Sequence, residues 1–362
     1  GLIAGFLIAT YYSVIAGWTL AYILKAASGF GGVAASEVSQ QFDLLLEDPV
    51  MMTVWHTVFM TIAMFIVARG LNDGIERTVS LLMPALFVMM LVMITYAAIA
   101  GDFGAGVEFL FNADFSKIDA EAVLIAIGQA FFSIGVAMGL MMIYGAYVPE
   151  SVSLTRSATI IAIADTLVAI LAGLMIFPLV FSNGLDPGEG PGLIFKTLPT
   201  AFASMPGGRL FGALFFLLLA FAAVTSIIAL IESVIAFAED RWGMARRTGC
   251  IIFGTLAWAI GLGTVFSFNA LKDFAPLGAF RVFDGMTIYT LIDYFTANIM
   301  MPLGGILIAV FVGWMVKKDI LDEHLDFGSP VLAREWRLLI RFVAPLAILA
   351  VLVTSLNQGP SG

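Results

Sequence analysis

The chain has 362 residues, of which 61% are hydrophobic and only 12% charged, and its mean hydropathy is +1.03. Soluble domains carry about 25% charged residues, so an ordinary soluble enzyme is excluded. The net charge of −9 offers no basic face for nucleic acid, and a single cysteine, Cys250, with two histidines, His56 and His324, leaves neither a disulfide framework nor a cysteine- or histidine-rich metal centre.

In chain order, nine apolar runs approach or exceed the roughly 20 residues that cross the hydrocarbon: about 2–24, 50–69, 78–100, 122–147, 157–181, 210–238, 250–268, 288–316 and 336–356. Their large apolar residues lie all round rather than on one stripe, and period-2 alternation is absent, which points to a helical bundle and not a barrel. Gly1 leads straight into the first run with no basic segment before it, so the chain reads as part of a longer protein. Two connections, 102–121 and 182–208, are long enough to hold structure of their own.

The basic residues set the orientation. One alternate set of connections holds Arg69, Arg77, Arg156, Arg241, Arg246, Arg247, Lys317, Lys318, Arg334, Arg337 and Arg341; the other holds Lys25, Lys117, Lys196, Arg209, Lys272 and Arg281. The richer set faces the cytoplasm, which puts both long connections outside. The outer face is acidic, with Glu37, Asp43, Glu47 and Asp48 after the first run and Asp102, Glu108, Asp114, Asp119 and Glu121 after the third; each is read first as a solvated loop residue.

Polar groups at membrane depth are costly and mark candidate sites. The fourth run, Gly128-Gln129-Ala130-Phe131-Phe132-Ser133-Ile134-Gly135-Val136-Ala137-Met138-Gly139, predicts either a helix broken at mid-membrane, exposing backbone groups to an ion or substrate, or glycine packing between intact helices. Asp165 stands in the apolar fifth run with no Lys or Arg beside it, so it must be protonated, paired or bound to a cation. In the sixth run Ala222, Thr225 and Ser226 share a face by i, i+3, i+4 spacing. That oxygen cluster suits a hard cation, although small-residue packing also accounts for it. Tyr11-Tyr12 lie too deep for interfacial anchors and need hydrogen-bond partners. No nucleophile–base pair or phosphate loop appears, so no enzymatic chemistry is expected.

Taken together, Tyr11-Tyr12-Ser13-Val14-Ile15-Ala16-Gly17-Trp18, Gly74-Ile75-Glu76-Arg77 with Met83-Pro84, Gln129-Ala130-Phe131-Phe132-Ser133, Pro191-Gly192-Leu193-Ile194-Phe195-Lys196-Thr197-Leu198-Pro199, Phe221-Ala222-Ala223-Val224-Thr225-Ser226 and Glu239-Asp240 resemble the neurotransmitter:sodium symporter family, whose members include the LeuT fold. The ordered set runs along the whole chain. It implies an all-α, partial LeuT-type inverted-repeat fold of about nine transmembrane helices, family helices 3 to 11, as one transporter domain over 1–362. Residues 1–101 would be the remainder of a first repeat, 122–316 the second repeat and 336–356 an additional helix; the family's first two helices would be missing partners from the same protein.

The function implied is sodium-coupled symport of an amino acid or similar zwitterion by alternating access, in a prokaryotic inner membrane, with no organic cofactor. A proton-coupled or sodium-independent exchanger is the alternative, as is a transport-incompetent or receptor-like member. By the resemblance, Tyr12, Phe132, Gly135, Met138, Ser226 and Leu230 would meet substrate. Ala222, Thr225 and Ser226 would hold one sodium ion, and Ser133 and Asp165 another. Gln129 and Asp293 would belong to the outer gate and Asp240 to the inner one. The family usually has Asn where Asp165 stands; here the carboxylate itself would balance the sodium charge, and chloride is not expected. Met138 stands where an aromatic is common, and its flexible thioether favours an apolar or aromatic amino acid.

Overall fold

All but one of the apolar runs become single spanning helices, because a chain in hydrocarbon must satisfy its backbone internally. In a computed structural model that describes residues 1–112, 114–149, 151–188 and 190–358, the helices used below are α1 (Leu2–Ala27), α2 (Gln40–Glu47), α3 (Pro49–Ala68), α4 (Arg77–Ala100), α5 (Phe103–Phe111), α6 (Ala120–Ile134), α7 (Leu140–Tyr147), α8 (Leu154–Phe181), α9 (Leu198–Ser204), α10 (Gly208–Trp242), α11 (Arg246–Ser267), α12 (Ile288–Met315) and α13 (Pro330–Leu356). Among the described residues, eight helices are long and apolar enough to span a bilayer. The fourth apolar run of the sequence is the exception and is split into α6 and α7.

Several acidic residues of the outer connections turn out to be helix caps. Asp48 accepts from the amides of Val50 and Met51, each at 3.0 Å, with Pro49 in the first turn. Asp102 accepts from Ala105 at 3.0 Å and Asp119 from Ala122 at 2.8 Å. A carboxylate in this position satisfies amides that the helix leaves unpaired, and replacing such a cap by Ala costs ~1 kcal/mol.

The helices form two compact units that interleave in sequence. The larger comprises Ala9–Ala113 and Val168–Phe274; the smaller comprises Gly1–Ile8, Asp114–Leu167 and Ala275–Gly362. Helices α1 and α8 contribute to both.

The larger unit is built on a buried aromatic cluster. Trp18 meets Phe42, Phe195 and Phe268 edge-on at 5.2, 5.7 and 5.3 Å, and Phe42 stacks on Phe195 at 5.1 Å. The Tyr22 hydroxyl donates to the Phe195 carbonyl at 3.0 Å, Lys196 pairs with Asp43 at 2.7 Å, and the Asn269 amide donates to the Leu46 carbonyl at 2.8 Å. Thus the outer connections are pinned to the membrane helices. Deeper in, backbones approach closely: a Cβ on Gly17 would lie 2.9 Å from the Trp55 backbone, and one on Gly261 would lie 2.7 Å from the His56 ring and the Thr10 carbonyl oxygen. His56 is fully buried there, its Nε2 donating to the Trp258 carbonyl at 3.1 Å.

In the smaller unit, α12 supplies the close contacts. A Cβ on Gly305 would lie 2.5 Å from the Phe131 ring, one on Gly304 would lie 3.2 Å from the Ala137 Cβ, and one on Gly313 would lie 3.0 Å from Arg341. Small residues that admit a neighbour this closely are the usual device of helix packing in lipid.

Candidate functional site

The break between α6 and α7 follows from its glycines. Gly135 adopts φ 73°, ψ 27°, and its amide donates to the Phe132 carbonyl while that of Val136 reaches back to the Phe131 carbonyl, both at 3.1 Å. This is a Schellman motif, the ordinary end of a helix closed by a left-handed glycine. Ala137 then takes φ 68° and Gly139 φ 86° before α7 begins. A left-handed alanine costs ~1–3 kcal/mol; Ala137 packs close to Gly304, where an added Cβ would lie 3.2 Å from the Ala137 Cβ, and a Cβ on Gly139 would lie 2.9 Å from Leu2. Of the two alternatives left open by the sequence, the broken helix is the one observed.

The last turn of α6 carries the chemistry. The carbonyls of Ser133 and Ile134 accept no backbone hydrogen bond among the described residues. Beside them the Ser133 hydroxyl donates to the Asp165 carboxylate at 2.8 Å, across 32 residues of sequence. No basic nitrogen lies within 4 Å of Asp165 among the described residues. A carboxylate, a hydroxyl and two free carbonyls together form an oxygen-rich set of the kind that binds hard cations. Met138, at the break, is buried, whereas Phe132 is 40% exposed. Gln129, one turn before, lines a cavity of about 270 Å³ with Phe132, Asn298, Thr354 and Ser355. Asp293 sits on α12 within electrostatic reach of Tyr289, one turn earlier.

In the larger unit, the Tyr12 hydroxyl hydrogen-bonds to the Ser226 side chain, which supplies the partner a deep phenol requires. Thr225 donates to the Ala222 carbonyl at 2.9 Å. Ala222, Thr225 and Ser226 are partly or fully exposed on that unit while Ala223, Val224, Ile227 and Ile228 are buried, so the oxygen face of α10 is turned out of its own core. Leu230 is buried. Asp240, at the end of α10, is exposed and makes no ion pair among the described residues.

The charge cluster that sequence reasoning missed lies one turn away. Arg246 forks onto both oxygens of Glu232, reaches Glu239 at 3.1 Å and donates from Nε to the Val67 carbonyl at 2.9 Å. Glu232 is 1% exposed and Arg246 19%. The signal was present in Ile231-Glu232-Ser233, a carboxylate inside an apolar run, by the same rule that singled out Asp165.

Residues 41–361 match the family described as Sodium:neurotransmitter symporter family. The chain is 34% identical to the sodium-dependent transporter YhdH of Bacillus subtilis, over 97% of its own length and 77% of that protein's, and 30% identical to a sodium-dependent transporter of Haemophilus influenzae, over 98% and 78%. Its structure is similar to that of MhsT in complex with L-phenylalanine, with a TM-score of 0.86, 36% identity and coverage of 98% of this chain and 80% of that one. With the broken helix, the spanning helices and these likenesses in agreement, the chain belongs to the sodium:neurotransmitter symporter family and is a multi-pass membrane transporter of the LeuT fold, not an enzyme.

Proposed function

We propose that the protein moves an apolar or aromatic amino acid across the plasma membrane with sodium by alternating access. The observation that carries this reading is the Ser133–Asp165 hydrogen bond beside the open end of α6. Asp165 and Ser133 serve one sodium ion, and Ala222, Thr225 and Ser226 serve another. Tyr12 takes the substrate carboxylate; Phe132, Gly135, Met138, Ser226 and Leu230 meet its apolar part. The L-phenylalanine bound by MhsT and the buried thioether of Met138 support an apolar substrate. Gln129 and Asp293 act in the outer gate and Asp240 in the inner one.

An unbalanced cation at membrane depth is strongly disfavoured, and Ala169, one turn beyond Asp165, brings no charge. Asp165 therefore neutralises its own sodium ion and transport needs no chloride. The test is uptake of labelled amino acids into proteoliposomes with sodium or chloride replaced by inert organic ions. Loss on sodium replacement with none on chloride replacement is expected; a large loss without chloride overturns the charge argument.

A further inference from the structure

Arg246 and Arg247 are adjacent on α11, yet point apart, as neighbours on a helix must. Arg246 turns inward to Glu232 and Glu239. Arg247 turns outward, is exposed, and lines the end of a groove between α3 and α11. The groove has a volume of about 550 Å³, and its walls include Met60, Met64, Phe65, Ile251 and Trp258. Two of its three threonines have their hydroxyls engaged within their own helix: Thr57 and Thr61 donate to carbonyls one turn back, both at 2.7 Å.

The groove has two different ends. One is closed by the Trp258 indole donating to the Thr57 hydroxyl at 2.9 Å. The other opens at Ala68 and Arg247, where Arg69 lies 4.2 Å over the face of Phe65. Eleven residues separate Thr57 from Ala68 and Arg247 from Trp258, which at about 1.5 Å per residue is roughly 16 Å. A single leaflet of a ~30 Å hydrocarbon core has about that depth. Neither Arg69 nor Arg247 has a carboxylate within 4 Å among the described residues, and the nearby Glu232 and Glu239 are engaged by Arg246.

We infer that this groove is a binding site for one anionic phospholipid of the arginine-rich, cytoplasmic leaflet, an acyl chain lying along Met60, Met64 and Ile251 and the phosphate held by Arg69 and Arg247. The apolar wall sets the chain, the two unpaired guanidiniums set the headgroup charge, and the length confines the lipid to one leaflet. A zwitterionic lipid fills the same wall and offers the same phosphate, but its headgroup cation offsets the attraction to the two arginines. A basic residue near an anionic headgroup contributes ~1 kcal/mol, about fivefold in affinity, so the pair gives a preference of about 25-fold.

The experiment is titration of the purified protein in mild detergent with phosphatidylglycerol or phosphatidylcholine of identical chains, counting bound lipids by native mass spectrometry and following the thermal midpoint. One phosphatidylglycerol bound at least tenfold more tightly than phosphatidylcholine is expected. Arg69→Gln with Arg247→Gln removes the preference, Arg69→Lys with Arg247→Lys keeps most of it, and Thr61→Trp in the groove wall lowers binding of both lipids. Arg334→Gln, an exposed arginine outside the groove, leaves the preference intact. Equal binding of the two lipids by the parent protein overturns the assignment, as does an undiminished preference in the double Gln variant or an equal loss in Arg334→Gln. Displacement of the lipid by soluble glycerol phosphate alone would assign the arginines to a free anion and overturn the lipid site.

Discussion

Replacing Arg246 by Gln withdraws four hydrogen bonds at once: the fork onto Glu232, the contact with Glu239 and the donor to the Val67 carbonyl. What remains decides the magnitude. Glu232, 1% exposed, is left as a buried carboxylate with no cation, and breaking a buried pair from one side costs about 3–5 kcal/mol. Glu232→Gln keeps an acceptor for the guanidinium and gives up only the charge assistance, a loss of about 1–2 kcal/mol. Glu239, 30% exposed, sits where an ion pair is worth under ~1 kcal/mol. The expected order of destabilisation is therefore Arg246→Gln, then Glu232→Gln, then Glu239→Gln. Thermal unfolding of purified variants measures it, read by a thiol-reactive dye on Cys250, the sole cysteine and buried in the fold. A double-mutant cycle should return coupling above ~1 kcal/mol for Arg246 with Glu232 and little for Arg246 with Glu239. Equal effects of Arg246→Gln and Glu239→Gln would refute the claim that burial of Glu232 sets the energetics.

Asp165→Asn should raise the sodium concentration for half-maximal uptake at least tenfold, and Asp165→Ala should nearly abolish uptake, with protein levels in the membrane unchanged. Gly304→Val should lower uptake far more than thermal stability, because its branched side chain displaces the strained Ala137 turn; normal transport by this variant would separate that contact from function. Gly261→Ala places a methyl 2.7 Å from the His56 ring and the Thr10 carbonyl, an overpacking of about 1–3 kcal/mol; His56→Ala in the same chain should restore only part of it, since the carbonyl contact remains. Asp240→Ala should increase labelling of cysteines introduced along the cytoplasmic pathway, and unchanged labelling would remove Asp240 from the inner gate.

Helix positions were legible because the hydrocarbon imposes length and apolarity on every spanning segment: eight of the nine predicted runs match spanning helices among the described residues, and the fourth is split. The break at Gly135 was readable as one of two options, since three glycines weaken a helix whether it unwinds or packs tightly. The broken helix brings Ala137 against Gly304, 167 positions further along the chain, and no local pattern announces such a contact. The Ser133–Asp165 pair came from the cost of a carboxylate in lipid together with family resemblance. Glu232 obeyed the same cost rule but escaped notice because its partner lies on the following helix, beyond a turn. The acidic outer residues looked like solvated loop charge, and their capping role depends on where each helix begins, which hydropathy marks only to within a few residues.

The split of one spanning segment into α6 and α7 also divides its electrostatics. An unbroken helix carries its partial charges only at the two membrane surfaces, where water screens them. Ending α6 at Ile134 and starting α7 at Leu140 brings a carbonyl terminus, equivalent to roughly half a negative charge, and an amide terminus of opposite sign into the same stretch of low-dielectric interior. The field there is steep and polar without any net charge being buried. Cationic groups, whether a metal ion or an ammonium, are drawn to the α6 end beside Asp165, while carboxylates are favoured toward the amides of α7.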